Sequence, residues 1–561
     1  MTVPGGGAPD PAATITAEVV RNALAVAAEE AGVVVVRSSH STNIQEGADA
    51  AAAVLDARGR LVAQSSGTSV IHSASLRCGL QAMLERVGVE AIRPGDVWAL
   101  NDPYLGGIHA NDIMILNPVF AGGRLRWFGG TLIHVADMGG SVAGGLGSVV
   151  TDTYAEGVLL PPVRLYRDGE PNPEVFAVIE RNSRAPATVI GDIQALVAGT
   201  HVVRRRVEEL AGRYGVDELE GQIEDYLGYA ARRFGDELGR IASGTYHGAF
   251  TIDSDGVAAD KTFDVAVAVT VGGGEVVVDF TGTSAQSGGP INASVSQTLS
   301  AVVFAIRCFI DPTIPMNEGC FGAIRTVLPE GSLVNPRPPA ACGGRTVTTA
   351  AAVEAILQAL SQAVPGRAVA ASALIHVYTL NGPGWLTMGY EFGGIGARTG
   401  ADGPDATGAY FFGGRSVIPQ IEPLETHLPF VADRWRLVPD SGGPGRWRGG
   451  LGVELGLRMT GPAELTVRGD RIRLPPPGAA GGEPVRPGWF AVERAGGRRE
   501  ELAPRQQHVA LEPGDVFVMR TSGGGGLGPV GERSREAVLG DVVEGRVTVE
   551  GARRDYGVEA G

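Results

Sequence analysis

Lysine is almost absent. Lys261 is the only one in 561 residues, so the basic side chains are nearly all arginine. A GxxxxGK[ST] phosphate loop has no lysine to complete it, so if the reaction needs ATP, another subunit is expected to bind it. A Schiff-base enzyme would depend on Lys261 alone, and its context DKTFDVAVAV reads as a surface strand. Cysteine is scarce as well. Cys78, Cys308, Cys320 and Cys342 form no CxxC pair, which argues against a zinc ribbon or a disulfide scaffold. They read as reduced, mostly buried thiols of a cytoplasmic protein. No apolar run reaches the roughly 18 residues of a membrane span. The longest candidate, ALAVAAEEAGVVVV, is broken by Glu29 and Glu30, and the opening MTVPGGGAPDPAATITAEVV lacks the basic-then-apolar order of a secretion signal. A net charge of −15 gives no basic footprint for nucleic acid. There is no GxSxG elbow, and Cys342 in AACGGRT has no identifiable base partner, so covalent nucleophilic catalysis is not indicated.

Glycine is plentiful, at 84 residues scattered in pairs and triplets without a collagen period, which implies many tight turns. Thr14 or Thr16 can cap a helix to about Ala31, with VVVVRSSH as its tail or a short strand. AAAVLDARGRLVAQ reads as a hairpin, HSASLRCGLQAMLERVG as an amphipathic helix, and GDVWALND as a strand. IMILNPVF and RWFGGTLIHVAD form a second hairpin. Two long helices fill residues 192–240, and a meander follows in GAFTIDSDG, KTFDVAVAVTV and GGGEVVVDFTGT. LSAVVFAIRCFI and TAAAVEAILQALSQAV read as buried helices. Beyond residue 431 the chain is strand-rich, and REAVLGDVVEGRVTVEGARRDYGV reads as a short helix and a strand. The fold class is therefore α+β with large, mainly antiparallel sheets and helical insertions. Residues 1–12 form a disordered tail, 13–240 an N-terminal region ending in long helices, 241–430 a central strand and helix region, and 431–561 a strand-rich C-terminal region.

Two of the nine histidines stand out. His109 in GGIHANDI and His134 in TLIHVADMGG are each followed three residues later by an aspartate, Asp112 and Asp137. Both pairs sit where a strand meets a turn, and a hairpin brings such ends together. Two imidazoles with one or two carboxylates make a shell for Zn²⁺, Mn²⁺ or Fe²⁺. The bland alternative is a pair of satisfied histidines beside polar turns, and spacing alone does not choose which of Asp102, Asp112 and Asp137 are ligands. Two other motifs weigh less. GGGGLG, Gly523 to Gly528, follows a strand, but Pro529 interrupts the helix a dinucleotide site needs. PDSGGPGRWRGG could form a phosphate nest with Arg446 and Arg448, against the plainer reading of a structural turn.

NDPYLGGIHANDIMILNPVF resembles the NDPY-x-GGTH-xx-DI segment of the hydantoinase B / 5-oxoprolinase family, which has acetone and acetophenone carboxylase subunits as cousins. STNIQEGADAAAAVLDARGRLVAQ is similar to its opening block, and IHVADMGG, EGVLLPPVRLYRDGE, DFTGTSAQSGGPINA, PDSGGPGRWRGGLGVE and the C-terminal TSGGGGLGPVGERSREAVLGDVVEGRVTVEGARRDYGV to its later blocks in order, covering nearly the whole chain. The resemblance implies a divalent metal, zinc first with manganese or iron as alternatives, on Asp49, His109, Asp112 and His134. Asp49 enters only through this resemblance; Asp102 and Asp137 become supports for the imidazoles. It implies that a hydantoinase A-like ATPase partner phosphorylates the oxygen of a cyclic amide, in an α2β2-type hetero-oligomer, and that a metal-activated water opens the ring. Asp137 or His72 is then the proton acceptor. The departures from the pattern, Val135, Ile108 and the region of Gly67, are expected on the substrate-side wall. Two rivals stay open: a ketone carboxylase subunit of the acetone or acetophenone type, and a non-catalytic scaffold, which the intact ligand set disfavours.

Overall fold

A computed structural model describes residues 11–66, 72–408, 410 and 418–560. A seven-stranded sheet carries the candidate site. Its strands are β1 (Ala50–Asp56), β2 (Leu61–Gln64), β3 (Val97–Leu100), β4 (Asp112–Ala121), β5 (Arg124–His134), β6 (Val163–Arg167) and β7 (Glu170–Pro171). They lie in the order β2-β1-β5-β4-β3-β6-β7, every neighbouring pair antiparallel. Both faces are covered, which explains why its strands are apolar at nearly every position. Ala51, Ala53, Leu55, Met114, Leu116 and Leu132 pack on helix Ser73–Val87. The alternate residues Ala50, Ile113, Ile115 and Ile133 pack on helix Pro186–Tyr214 and the end of helix Pro11–Ser38.

Three further sheets follow. Strands Gly244–Ile252, Phe263–Gly272 and Glu275–Asp279 form the expected meander, with Ile324–Val327 added in parallel to the last. Helices Val295–Arg307 and Thr346–Ala363 bury their apolar residues in the same core. The remaining two sheets face each other. One runs Trp385–Phe392, Ile375–Gly382, Ala463–Arg468, Arg505–Leu511, and the other Phe430–Leu437, Val453–Met459, Val516–Arg520, Trp489–Glu493, Arg499–Leu502. Leu380, Leu465, Val467, Leu457, Phe490 and Phe517 fill the space between them. The first of these draws strands from both sides of residue 430. The α+β class with mainly antiparallel sheets is thus what the chain adopts.

Local expectations fail in four places. The first helix starts at Pro11 and runs to Ser38, past Ala31, so residues 11 and 12 belong to it and not to a tail; residues 1–10 lie outside the described residues. The valine run stays helical because Val35 is buried against helix Pro186–Tyr214, and packing overrides β propensity. Lys261 lies before the strand that begins at Phe263, with its ammonium 4.8 Å from the Phe263 ring centre. Cys308 is exposed, Cys78 half-buried, and only Cys320 and Cys342 are buried. The last segment, read as helix and strand, is two helices, Arg535–Val543 and Val549–Tyr556. Thr548 caps the second by accepting from the Gly551 N–H at 2.9 Å.

Candidate metal centre

Strand register assembles the site. Asp112, the first residue of β4, stands directly opposite His134, the last residue of β5. Across β5 on its other side, Ala50 of β1 pairs with Ile133, so Asp49 leads into β1 at the same end of the sheet. Opposed residues of antiparallel strands share a face. Asp112 and His134 therefore project on the side of Met114 and Leu132, toward the helix that begins at Ser73, where His72 stands.

His109 arrives from the loop before β4. Asn101 anchors that loop by donating to Val158 O at 3.0 Å and accepting from Leu160 N at 2.6 Å. Asp102 caps the turn Pro103–Leu105 through Tyr104 N at 2.9 Å. A Cβ at Gly107 would fall 2.5 Å from Asn101 O, so only glycine lets the loop fold back there. Asn111 bridges outward, donating to Val135 O at 3.1 Å and Gly144 O at 2.9 Å.

The result is a close cluster. His109 Nε2 lies 3.1 Å from Asp112 Oδ2 and 3.2 Å from His134 Nδ1, and His134 Nδ1 lies 3.0 Å from Asp112 Oδ1. One ligand atom from each residue falls within 4.8 Å of the others. Burial, reinforced by the Arg345 charge, holds His109 at about 3, so its imidazole is neutral as a ligand requires. Asp112 is well below the ordinary carboxylate range: burial works against ionisation, but Arg345 and His109 outweigh it. The donor set is two imidazoles and a carboxylate on a rigid sheet end, which fits a borderline divalent metal.

Asp49 stands beside this cluster and is turned to His72, whose Nε2 is 3.0 Å from Asp49 Oδ1. Burial raises it, but His72 overcomes that and keeps Asp49 ionised below its usual value, with Asp112 and His134 near enough to act on it. Among the described residues the His72 Nδ1 atom is buried without a partner. Asp137 is fully buried in a turn. Its carboxylate accepts from Gly144 N at 2.9 Å, Arg184 N at 2.6 Å and Arg184 Nη1 at 3.1 Å. Ile108 and Val135, expected on a substrate wall, are both packed in the cores beside the sheet. Gly67 lies outside the described residues. Arg446 and Arg448 are committed to Glu532, and to Asp405 and Asp541, so they form no open anion nest.

Sequence reasoning missed Arg345. Its Nη2 donates to Asp112 Oδ2 at 2.6 Å from a side chain 10% exposed. The loop delivering it is itself pinned: Glu156 accepts from Cys342 N at 2.9 Å and Gly343 N at 2.5 Å. Burial, against those N–H groups, pushes Glu156 up to about 7. A Cβ at Gly343 would come 2.9 Å from Glu156 Oε1. The signal was present in AACGGRT: paired glycines just before an arginine at a helix start mark a backbone held close to something.

A cavity of ≈ 570 Å³ reaches the cluster at His134, with Arg184, Asn381, Trp385, Leu386 and Met388 also on its wall. Its volume and mixed lining suit a small organic ligand. The hairpin Ile375–Gly382 and Trp385–Phe392, which brings Asn381, Trp385, Leu386 and Met388 to that wall, was not read from the sequence.

Known proteins agree with this architecture. The profile of the family described as Hydantoinase B/oxoprolinase matches residues 13–530. The caprolactamase subunit beta of Pseudomonas jessenii is 31% identical over 97% of this chain and 96% of its own. The crystal structure of the ATP-dependent caprolactamase from Pseudomonas jessenii superposes with a TM-score of 0.90 at 28% identity, over 99% of this chain and 97% of that one. A nucleotide-free acetone carboxylase structure shares the fold, with a TM-score of 0.89 at 18% identity over 97% of this chain and 79% of that one. With its sheets, its site and these likenesses taken together, the chain belongs to the hydantoinase B/oxoprolinase family.

Proposed function

We propose that the chain is the metal-binding subunit of an ATP-dependent cyclic amidase that opens a hydantoin, lactam or oxoproline-like ring. The observation that carries this reading is the His109, Asp112 and His134 cluster, which meets the wall of the ≈ 570 Å³ cavity at His134. Asp49 is the fourth ligand, and zinc, manganese or iron suits the set. A divalent ion there would polarise a carbonyl and acidify a water at the site.

The chain's own groups supply the rest. Arg345 fixes one oxygen of Asp112 and balances its charge. Trp385, Leu386 and Met388 offer apolar surface to a ring, while Asn381 and Arg184 offer amide and guanidinium contacts. Of the two proton-acceptor candidates His72 is favoured, because N–H donors occupy both oxygens of Asp137. His72 also orients Asp49, as outer partners of metal ligands do. ATP is bound by a hydantoinase A-like partner that phosphorylates the amide oxygen, in an α2β2-type assembly in the cytoplasm. The missing P-loop and the single lysine support that division of labour, as does the word subunit in the caprolactamase relative's name. No helix among the described residues is long and apolar enough to cross a membrane.

The second reading, a subunit of a ketone carboxylase, is favoured only by the fold shared with acetone carboxylase. Co-purification with the ATPase partner separates the two. ATP turnover is measured against hydantoins, lactams and ketones, with and without bicarbonate. Ring opening that consumes ATP without bicarbonate is expected; ATP use that requires a ketone and bicarbonate together would overturn the amidase.

A further inference from the structure

The sheet that carries the Ile375–Gly382 hairpin sets two arginines face to face. Arg468, at the end of strand Ala463–Arg468, is the direct antiparallel partner of Arg505 at the start of strand Arg505–Leu511, and Val377 extends the row. Side chains opposed in this way project from one face, where like charges repel. Water does little to screen Arg505, which is 7% exposed, while Arg468 is half-buried.

The protein compensates these two charges poorly. Arg468 Nη1 donates to a neutral acceptor, Gly343 O, at 2.8 Å. Burial, with the guanidiniums of Arg345 and Arg505, pulls Arg468 down to about 9. Arg505 Nη2 reaches Asp470 Oδ2 only at 3.4 Å. That carboxylate also serves Asp253 N at 3.2 Å and Arg471 N at 2.9 Å. Arg505 Nη1 is buried without a partner among the described residues. A buried guanidinium N–H left unmatched is costly and calls for a group that occupies the space beside it.

Such a space exists. Arg468 and Arg505 line a cavity of ≈ 30 Å³ with Gly344, Thr346 and Asp470. Thr346 opens the 18-residue helix Thr346–Ala363, whose first-turn N–H groups and dipole add positive potential. One water needs about 10–15 Å³, so the cavity holds a single small ion and excludes organic anions.

We propose that this cavity binds one small inorganic anion of halide size between Arg468, Arg505 and the start of helix Thr346–Ala363. Through Gly343 O the anion would steady the loop that presents Arg345 to Asp112. The proposal stands apart from the metal reading, because it needs no ion at His109 or His134.

The test uses the purified full-length chain exchanged into sodium gluconate, whose anion is too large to enter. Chloride or bromide is titrated at constant ionic strength while the melting temperature is followed. The expected result is a saturating rise in wild type that is lost in Arg505→Met. Crystals grown in bromide should show an anomalous peak beside Arg505 Nη1. A halide response no larger than that of gluconate, an equal response in Arg505→Met, or bromide crystals without the peak would overturn it. If Arg505→Met does not fold, the wild-type bromide map decides.

Discussion

Asp112 and His134 face each other across β4 and β5, with 3.0 Å between Oδ1 and Nδ1. A single register fixes the backbone positions of both and sets them on one face of the sheet. Replacing either by alanine, or replacing His109, is expected to abolish metal binding while the fold survives, because the backbone ladder does not need the side chain; Asp112→Ala alone also lowers stability, since it leaves the buried Arg345 charge without its partner. His72→Ala should weaken metal affinity by about 10–100-fold without abolishing it, since His72 acts through Asp49. Elemental analysis of the purified variants and a chelator competition check both. Full metal content in Asp112→Ala would sink the assignment.

Arg345 and Asp112 form a buried ion pair at 2.6 Å. Removing one partner of such a pair strands the other charge, at a cost of about 3 kcal/mol or more. Arg345→Met is therefore expected to lower stability by that amount in metal-free protein. Added zinc should restore much of it, because the metal supplies the missing positive charge. Urea unfolding with and without zinc measures both. A loss that zinc leaves unchanged would show that Arg345 serves the loop and not Asp112.

The legibility of this site followed sequence distance. His109 and His134, each with its following aspartate, could be brought together from the sequence because one hairpin joins them, while the choice of Asp112 over Asp102 and Asp137 came from the family resemblance; the register of β4 and β5 sets Asp112 opposite His134. Asp49 comes to stand beside the site because β1 adds to the far side of β5, and no local spacing encodes that. Arg345 arrives from a loop held by Glu156, a contact between residues whose sequence neighbourhoods show no periodicity. The hairpin Ile375–Gly382 and Trp385–Phe392 turns at Pro383 and Gly384, a readable Pro-Gly turn signal. RVTVE, strand-like by composition, was overridden by the Thr548 cap.

Glu391 lies on the edge strand Trp385–Phe392, opposite His376. Burial pushes its carboxyl up to about 8, against a Trp435 hydrogen bond, and its Oε2 has no partner among the described residues. The folded state thus holds this proton over a range where the unfolded chain, with an ordinary value of 4.5, has lost it. Its contribution is complete below that ordinary value and is lost as pH rises toward 8. The slope is at most about 1.4 kcal/mol per pH unit. Glu391→Gln should flatten the fall in melting temperature between mildly acidic and mildly alkaline buffer. Identical pH profiles for wild type and variant would contradict this origin.

Asp137 separates a structural role from a catalytic one. Its two oxygens hold Gly144 N, Arg184 N and Arg184 Nη1, and so tie the turn after β5 to the loop before helix Pro186–Tyr214. Asp137→Asn keeps the shape but turns one acceptor into a donor that faces N–H groups, and it removes the charge partner of Arg184. The expected result is a stability loss of about 1–3 kcal/mol and a raised KM, because Arg184 lines the cavity. The pH dependence of kcat should be unmoved. In His72→Asn the outcome should reverse, with kcat reduced and its pH profile altered while stability changes less. If Asp137→Asn instead removes the acidic limb of the kcat profile at unchanged stability, the proton acceptor is Asp137 and His72 serves only to hold Asp49.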